Sequence, residues 1–212
     1  PLFPQYASAS TGSVMQLVME LVSKWPTVPP ISFVNSFHDN ELMIKVFAEN
    51  ARKHQVERFD HVLFSFHGLP ERQLLKCDHT GSYCLKNADC CQTFNDTNKF
   101  CYSAQGHDTA RLIAKELGLA KENYTVCFQS RLGKEPWVQP YTTDVLKKLA
   151  AEGKKRLLVF SPAFVADCLE TLYEITVEYH EEFRALGGEH VQLVESLNDN
   201  PLFIDALAGM VK

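Results

Sequence analysis

The sequence predicts an α/β fold built on a parallel, doubly wound sheet. Short apolar runs, each long enough for one buried strand, alternate along the chain with longer stretches of helical periodicity. Repeated strand–helix units of this spacing favour parallel strands joined by right-handed crossovers. With 212 residues and 45% hydrophobic content, the chain can bury a substantial core.

Each predicted strand is an apolar run bounded by turn-forming residues. The strands are expected at residues 1–5, 31–34, 62–66, 124–128, 157–160 and 191–195. The helices are expected at residues 11–24, 39–54, 106–117, 140–152 and 167–186, with a last one after Pro201. Thr11, or Ser10 before it, is the expected cap of the first helix, and Asp39 is the expected cap of the second.

Charge and hydropathy exclude two classes of partner. The formal net charge of −5 and the pI near 5.9 argue against nucleic acid as the main partner. No apolar run approaches the roughly 18–20 residues that a membrane-spanning helix needs.

A strand-end histidine is the first candidate functional residue. Residues 65–70 (Ser-Phe-His-Gly-Leu-Pro) follow the apolar run 62–64 and contain the Gly and Pro expected of a turn. In parallel α/β sheets, ligands bind outside the carboxyl ends of the strands, where His67 is expected. Because histidine titrates near neutral pH, His67 could exchange a proton with a ligand there. A histidine that merely caps the turn is the alternative.

A row of carboxylates on one predicted helix is the second candidate. Four acidic side chains recur at intervals of three or four residues, which places them on one helical face. They are Asp167, Glu170, Glu174 and Glu178. Two carboxylates about 6 Å apart in a cleft repel by roughly 2–3 kcal/mol at an effective dielectric near 20, so the row would hold a proton or attract a cation. A solvated acidic face, with Asp167 as the helix N-cap, is the alternative.

The loop at residues 128–137 (Phe-Gln-Ser-Arg-Leu-Gly-Lys-Glu-Pro-Trp) is the third candidate, and it also begins at a strand end. Arg131 and Lys134 could pair with ligand carboxylates, Arg131 through a bidentate fork. Trp137 offers a flat face for a planar ligand. For this loop alone, a salt bridge beside a half-buried Trp is the favoured interpretation.

Five of the seven cysteines fall in one polar loop, which is longer than typical connections in such folds. They are Cys77, Cys84, Cys90, Cys91 and Cys101. Disulfides would suit a secreted protein, and a zinc site would lack the usual CxxC pairs. An iron–sulfur cluster needs four thiolates and tolerates varied spacing. Cys127, in contrast, falls within a predicted strand and is expected in the core.

In combination, these segments resemble ferrochelatase, the enzyme that inserts Fe²⁺ into a porphyrin. The matching segments are Phe3-Pro4-Gln5-Tyr6, Ser65-Phe66-His67-Gly68-Leu69-Pro70, Phe128-Gln129-Ser130-Arg131-Leu132-Gly133 with Pro136-Trp137, Glu170-Thr171-Leu172-Tyr173-Glu174, Ser196-Leu197-Asn198 and Asn200-Pro201-Leu202-Phe203. They occur in the order of the family and cover nearly the whole chain.

The resemblance implies two Rossmann-like halves that enclose a porphyrin cleft, with the first half incomplete in this chain. Residues 1–50 would be a remnant of the first half and the crossover. Residues 51–199 would form the second half, with a cysteine-rich insertion at 77–101. Residues 200–212 would form a terminal helix that packs back on the first half.

By this resemblance, His67 matches the family's essential histidine, a proton acceptor or metal ligand, and Glu170 matches its partner carboxylate across the cleft. Glu174 is the third catalytic candidate, and Glu178 joins these three as a candidate ligand of the substrate iron. Several relatives have a His two positions before Glu170, whereas this chain has Cys168, so an obligatory ligand there is in doubt. The expected porphyrin contacts are Ser130, Arg131 and Trp137.

The resemblance also bears on the cysteines, because some ferrochelatases carry a [2Fe-2S] cluster and one bacterial group holds its cysteines in an internal insertion. A [2Fe-2S] cluster is therefore the favoured cofactor, with zinc as the alternative. Because Cys90 and Cys91 are adjacent, one of them together with Cys77 is one way to complete a set of four ligands.

The implied function is that of a lyase acting late in haem biosynthesis, which inserts Fe²⁺ into protoporphyrin IX or coproporphyrin III and releases two protons. A cobalt or nickel chelatase for another tetrapyrrole is one alternative, and a non-catalytic, cluster-bearing iron or haem sensor is another. The expected location is the bacterial cytoplasm. Peripheral membrane association is left open, although no amphipathic basic stretch supports it, and so is the oligomeric state.

Overall fold

The structure, a computed structural model, describes residues 1–87 and 89–211. Ala88, in the predicted cysteine-rich insertion, and Lys212, at the end of the predicted terminal helix, lie outside the described residues. The strands are β1 (His61–His67), β2 (Tyr124–Gln129), β3 (Arg156–Phe160) and β4 (His190–Leu193). They form one parallel sheet in the order β2-β1-β3-β4.

These four strands coincide with four of the predicted apolar runs to within two residues at each end. The predicted α/β fold with a parallel sheet is therefore confirmed. The helices are α1 (Ser13–Val22), α2 (Glu41–Lys53), α3 (Glu71–Cys77), α4 (Tyr102–Leu117), α5 (Thr142–Ala151), α6 (Leu169–Leu172), α7 (His180–Ala185) and α8 (Pro201–Met210). Within the described part of the chain, no helix is both long and apolar enough to cross a bilayer.

Helices cover both faces of the sheet because successive side chains of each strand point to opposite sides. On one face, the rings of Phe64 and Phe160 stack at 4.8 Å, and Phe47 of α2 meets Phe160 edge-on. On the other face, Leu63 packs in a second core with Leu146 of α5 and Phe183 of α7. The two cores hold the sheet rigid between layers, so the carboxyl ends of its strands are fixed points for a site.

The strand order places a topological switch point between β1 and β3. From β1 the chain first crosses to β2 on one side, and later returns to β3 on the other. A crevice forms outside the carboxyl ends of two such strands, and ligands bind there in open α/β sheets. His67 ends β1 at this crevice, as the sequence predicts.

The two N-terminal strand predictions are wrong. Residues 1–5 and 31–34 form no strand, and within the described residues the sheet contains only β1 to β4. Ile31, Phe33 and Val34 are exposed. An apolar run becomes a strand only when a neighbouring strand accepts and donates its ladder hydrogen bonds, and neither segment has such a neighbour here.

The helix predictions need correction at several points. Asn40, not Asp39, caps α2, because the Asn40 Oδ1 accepts from two backbone N–H groups at 3.1 Å each. The predicted helix at 106–117 begins four residues earlier, at Tyr102, and α3 was not predicted at all. The single helix predicted at 167–186 is split, because a π-helix (Glu174–Tyr179) separates α6 from α7.

The C-terminal helix packs on an N-terminal one. The helix α8 contacts α2, and its Phe203 belongs to the same core as Phe47. The division of the chain at residues 50 and 199 stays a prediction.

Candidate active site

His67 is held in one tautomer by the turn that follows it. Its Nδ1 lies 2.7 Å from the carbonyl oxygen of Gly68, and the Tyr102 hydroxyl donates to the His67 carbonyl at 2.8 Å. Because a carbonyl only accepts, Nδ1 carries the proton, and the neutral ring keeps a lone pair on Nε2. His67 can therefore accept a proton or bind a metal through Nε2.

The turn needs glycine at position 68. The Gly68 N–H donates to the Gln129 carbonyl oxygen at 2.8 Å. A Cβ at this position would lie 2.9 Å from that oxygen and 3.1 Å from the Trp137 ring. Only glycine lets the turn approach β2 this closely, and this approach fixes the direction of His67.

Two cavities open at the carboxyl edge of the sheet. The first, of about 220 Å³, is mostly apolar and lies beside His67, with Leu69 and Phe164 among its walls. The second, of about 310 Å³, is lined by Ser130 and Arg131 and by three carboxylates. These carboxylates are Glu174, Glu178 and Glu182. His67 thus lines one cavity, whereas Glu174 and Glu178 line the other.

Glu170 connects electrostatically with His67. Its carboxylate accepts hydrogen bonds from its own backbone N–H and from the Cys168 thiol, and these lower the pKa of Glu170. When His67 is protonated, its positive charge lowers the pKa of Glu170 further. Cys168 is the N-cap of α6, and its thiol serves as a cap and a donor to Glu170. An imidazole with a free lone pair therefore lies near a carboxylate that stays ionised.

Glu174 is tied to the end of β2. Its two carboxylate oxygens accept from Gln129, from both the N–H and the hydroxyl of Ser130, and from the Tyr179 hydroxyl. Burial and the hydrogen bond with Glu174 raise the pKa of Tyr179. Asp167, the fourth member of the predicted row, turns away and binds Ser196 and Asn198 instead.

The predicted porphyrin contacts lie in three different settings. Ser130 is engaged by Glu174, and Arg131 lies with its guanidinium 4.6 Å above the Tyr141 ring. Trp137 is buried, 6.4 Å from the His67 ring between centroids. Its Nε1 has no hydrogen-bond partner among the described residues. Trp137 is therefore part of the wall behind His67, and not an open platform.

Sequence reasoning missed three residues of this site, namely Gln129, Tyr179 and Glu182. Gln129 directly precedes the strand-end Ser130, so its position next to a candidate was a usable signal. Glu182 lies four residues after Glu178 and extends the predicted acidic spacing. Nothing in the sequence indicated Tyr179, because a residue five positions after Glu174 does not lie beside it in an α-helix.

The five cysteines of the insertion surround one narrow cavity, together with Asp78 and Asn98. The Sγ atoms of Cys84 and Cys101 are 3.9 Å apart, and those of Cys90 and Cys91 are 3.8 Å apart. All seven cysteines are free thiols, so the disulfide interpretation is wrong for this structure. The Cys91 thiol donates to the Ser103 hydroxyl at 3.4 Å. The close contact between the sulfurs of Cys84 and Cys101 lowers the pKa of Cys101 and raises the pKa of Cys84.

Polar groups hold this loop in place. The Asp78 carboxylate accepts from the Thr80 hydroxyl at 2.6 Å and from the backbone N–H of Cys84 at 2.8 Å, and these hydrogen bonds keep the pKa of Asp78 well below the usual range. Asn98 donates to the Cys90 carbonyl, and Arg111 donates to the Cys91 carbonyl. No three His, Cys, Asp or Glu side chains in residues 1–87 and 89–211 already form a metal-binding group.

The fold is similar to that of a solved bacterial protein described as SirB from Bacillus subtilis with Fe3+. The two agree with a TM-score of 0.58 at 14% sequence identity, over 100% of this chain and 68% of that one. This similarity supports the fold assignment alone.

Sequence comparison identifies closer relatives, which carry the name Ferrochelatase. One from Pseudomonas fluorescens (strain Pf0-1) is 44% identical over 211 residues, which are 99% of this chain and 62% of the relative. One from Legionella pneumophila (strain Lens) is 41% identical over 213 residues, 100% of this chain and 62% of the relative. This chain thus spans about three fifths of each relative. The family model described as Ferrochelatase matches residues 1–212, so the chain belongs to the ferrochelatase family.

Proposed function

We propose that this chain carries the catalytic pair of a ferrochelatase, which inserts Fe²⁺ into protoporphyrin IX or coproporphyrin III and releases two protons. Membership of the family supports the reaction. The observation that carries the proposal is the His67 imidazole, with Nδ1 bound to Gly68 and Nε2 free, near the ionised Glu170 at the β1–β3 crevice.

The residue types suit the chemistry of insertion. A free-base porphyrin must lose two N–H protons as Fe²⁺ enters, and in this scheme His67 Nε2 accepts them one after the other, releasing the first to water before it takes the second. The imidazolium that forms is stabilised by the negative charge of Glu170. Glu178 and Glu182 line the neighbouring cavity, through which we propose that Fe²⁺ reaches the pair. Oxygen ligands bind Fe²⁺ only moderately, which suits delivery better than storage.

The porphyrin is proposed to lie beside His67. Phe164 lies 6.3 Å from the imidazole between ring centroids and supplies an apolar wall of the cavity for a flat macrocycle, while Trp137 packs behind His67 at 6.4 Å. Arg131 is exposed at the rim of the second cavity, where its planar fork could pair with a porphyrin carboxylate. The choice between the two porphyrins rests with such rim contacts.

An anaerobic insertion assay tests the function and separates it from the cobalt or nickel alternative. Purified protein would be given each porphyrin with Fe²⁺, Co²⁺ or Ni²⁺, and insertion followed by the loss of free-base absorption bands. We expect the highest kcat/KM with Fe²⁺. A protein that binds the porphyrin but inserts none of the three metals would instead support the non-catalytic sensor hypothesis and contradict this proposal.

We also propose that the cysteine cavity holds a [2Fe-2S] cluster. The donor set fits, because two thiolates on one tetrahedral metal at about 2.3 Å lie about 3.8 Å apart, close to the 3.9 Å and 3.8 Å of the two Sγ pairs. Cys84, Cys101, Cys90 and Cys91 are the proposed ligands, and Cys77 borders the same cavity. When bound, a cluster supplies a redox-active cross-link, and insertion itself requires no electron transfer.

The visible spectrum of protein purified without oxygen tests the cofactor. Visible absorption bands that dithionite bleaches are expected for the cluster, and Cys101→Ser should abolish them. Cys127→Ala is the matched control, because Cys127 is buried in the other core, away from the cavity. A colourless protein with stoichiometric zinc would contradict the cluster and support zinc.

We also propose that the enzyme is bacterial. Both sequence relatives named above are bacterial, which supports a bacterial enzyme. Cytoplasmic location, peripheral membrane association and the oligomeric state stay predictions.

A further inference from the structure

The carboxylate of Glu174 has its hydrogen-bonding capacity filled by the fold. Its Oε1 accepts from the Ser130 N–H at 2.9 Å and from the Tyr179 hydroxyl at 2.7 Å. Its Oε2 accepts from the Gln129 Nε2 at 3.0 Å and from the Ser130 hydroxyl at 2.6 Å. An ionised carboxylate offers about four lone-pair sites, and these four donors occupy them. No site is left for a metal or an incoming proton.

Three of the four donors belong to Gln129 and Ser130 at the end of β2, where the backbone conformation allows the contact. Ser130 has φ +62°, a left-handed conformation that is uncommon for a residue with a side chain. In this conformation both its N–H and its hydroxyl meet the same carboxylate. The backbone is therefore committed to Glu174 at the point where β2 ends.

Gln129 extends the contact to Glu170. Its Nε2 donates both to the Glu174 carboxylate and to the Glu170 carbonyl oxygen, each at 3.0 Å. Its Oε1 accepts from Ser65 of β1 and from Ser161 after β3, which fixes the orientation of the amide. One buried side chain thus connects three strands of the sheet with the helix that carries Glu170.

The π-helix is the local structure that allows the fourth contact. A π-helix joins residues five apart in one turn, and Tyr179 lies five residues after Glu174. In a regular α-helix the residue above Glu174 would be Glu178, a like charge. The Tyr179–Glu174 hydrogen bond therefore favours the π turn and keeps Glu178 off this carboxylate.

Glu178 differs from Glu174 in its partners. It lines the same cavity, and among the described residues its carboxylate makes no hydrogen bond or ion pair. Glu178 is consequently available to a cation, whereas Glu174 is not.

We infer that Glu174 is a positioning residue and not a carrier of iron or protons. It pins the π-helix to the end of β2, and through Gln129 this anchor holds Glu170 near His67. The consequence for catalysis depends on the proposed function, but the anchor itself does not.

Hydrogen–deuterium exchange of the holoprotein tests the anchor without reference to activity. Tyr179→Phe and Ser130→Gly each remove one donor to Glu174, and we expect amides of residues 169–179 to exchange about tenfold faster in both. Tyr173→Phe is the matched control, since this exposed tyrosine on the same segment makes no hydrogen bond to Glu174. Wild-type exchange rates in both donor variants would overturn the inference.

Steady-state kinetics separate positioning from transport. If Glu174 is an anchor, Glu174→Gln and Tyr179→Phe should each lower kcat about tenfold and leave the KM for Fe²⁺ within about twofold of wild type. Glu178→Gln, in contrast, should raise the KM for Fe²⁺. The Glu174→Gln/Tyr179→Phe double variant should be no worse than the worse single variant, because both remove the same contact. A raised KM in Glu174→Gln with an unaffected Tyr179→Phe would identify a carrier. If wild-type protein inserts no iron, the proposed function fails and the exchange result still decides the anchor.

Discussion

His67 owes its chemistry to its neighbours in sequence and space. The Gly68 carbonyl, 2.7 Å from Nδ1, fixes the tautomer, and the Tyr102 hydroxyl holds the His67 backbone. A strand-end histidine without these contacts could present either nitrogen. The free Nε2 lone pair is the feature that would let this histidine act as a base, as we propose, rather than only as a turn cap.

His107 is expected to contribute to the loss of stability at mildly acidic pH. Burial, with Arg111 and Lys121 nearby, lowers the pKa of His107 to about 4 from 6.5. As the pH falls below 6.5, His107 becomes protonated in the unfolded chain but stays neutral in the folded chain until the pH approaches 4. The contribution of this site to the free energy of unfolding is therefore fully present above pH 6.5 and declines toward pH 4. Between pH 7 and pH 5, protonation at this site lowers the free energy of unfolding by up to about 2 kcal/mol.

Urea unfolding at pH 7 and pH 5 checks this expectation. His107→Gln should lose less stability than wild type over that interval, by up to about 2 kcal/mol. His79→Gln, at an exposed position, should lose as much as wild type. An equal loss in His107→Gln and wild type would mean that His107 does not titrate differently on unfolding.

At the scale of elements, the contact between the β1 turn and β2 predicts contrasting effects of two glycine substitutions. Gly68→Ala would place a Cβ 2.9 Å from the Gln129 carbonyl oxygen, so the turn must shift at a cost of about 1–3 kcal/mol. Gly209→Ala in α8 meets nothing within 4 Å and should stabilise the helix by roughly 0.5–1 kcal/mol. Thermal unfolding of both variants tests this contrast, and a neutral Gly68→Ala would contradict the close approach.

The strands of the sheet were predictable, and the interrupted helix was not. The apolar runs around Phe64 and Val159 are bounded by turn residues, so a buried strand is the simplest structure for them. The acidic spacing from Glu170 to Glu178 fits an α-helix equally well, and only the contact of Tyr179 with Glu174 favours a π turn. Such a contact depends on the end of β2, which the sequence of the helix does not describe.

At the scale of the whole molecule, the sequence predicted which residues lie near the crevice, but not that they line two separate cavities. His67 and the acidic row both follow strand ends, so their position at one edge of the sheet was foreseeable. Their separation into two cavities depends on the packing of the 128–137 loop, where Trp137 is buried and Arg131 stays at the rim. Burial of that kind is decided by tertiary contacts.

The cysteines illustrate the same limit. Their irregular spacing could not tell a cluster from zinc, and it could not show that all five border one cavity. Asp78 and Arg111, whose hydrogen bonds place Cys84 and Cys91, are ordinary charged residues in the sequence. Their roles are visible only once the loop is folded.

The central claim is that His67 is the proton-accepting base of iron insertion into a porphyrin. The most direct measurement compares His67→Ala with His61→Gln, a substitution at the opposite end of β1, for anaerobic Fe²⁺ insertion and for porphyrin binding. We predict that His67→Ala binds porphyrin normally but inserts iron about 10²–10⁴-fold more slowly, while His61→Gln keeps wild-type turnover. Turnover of His67→Ala at the wild-type rate would contradict the account.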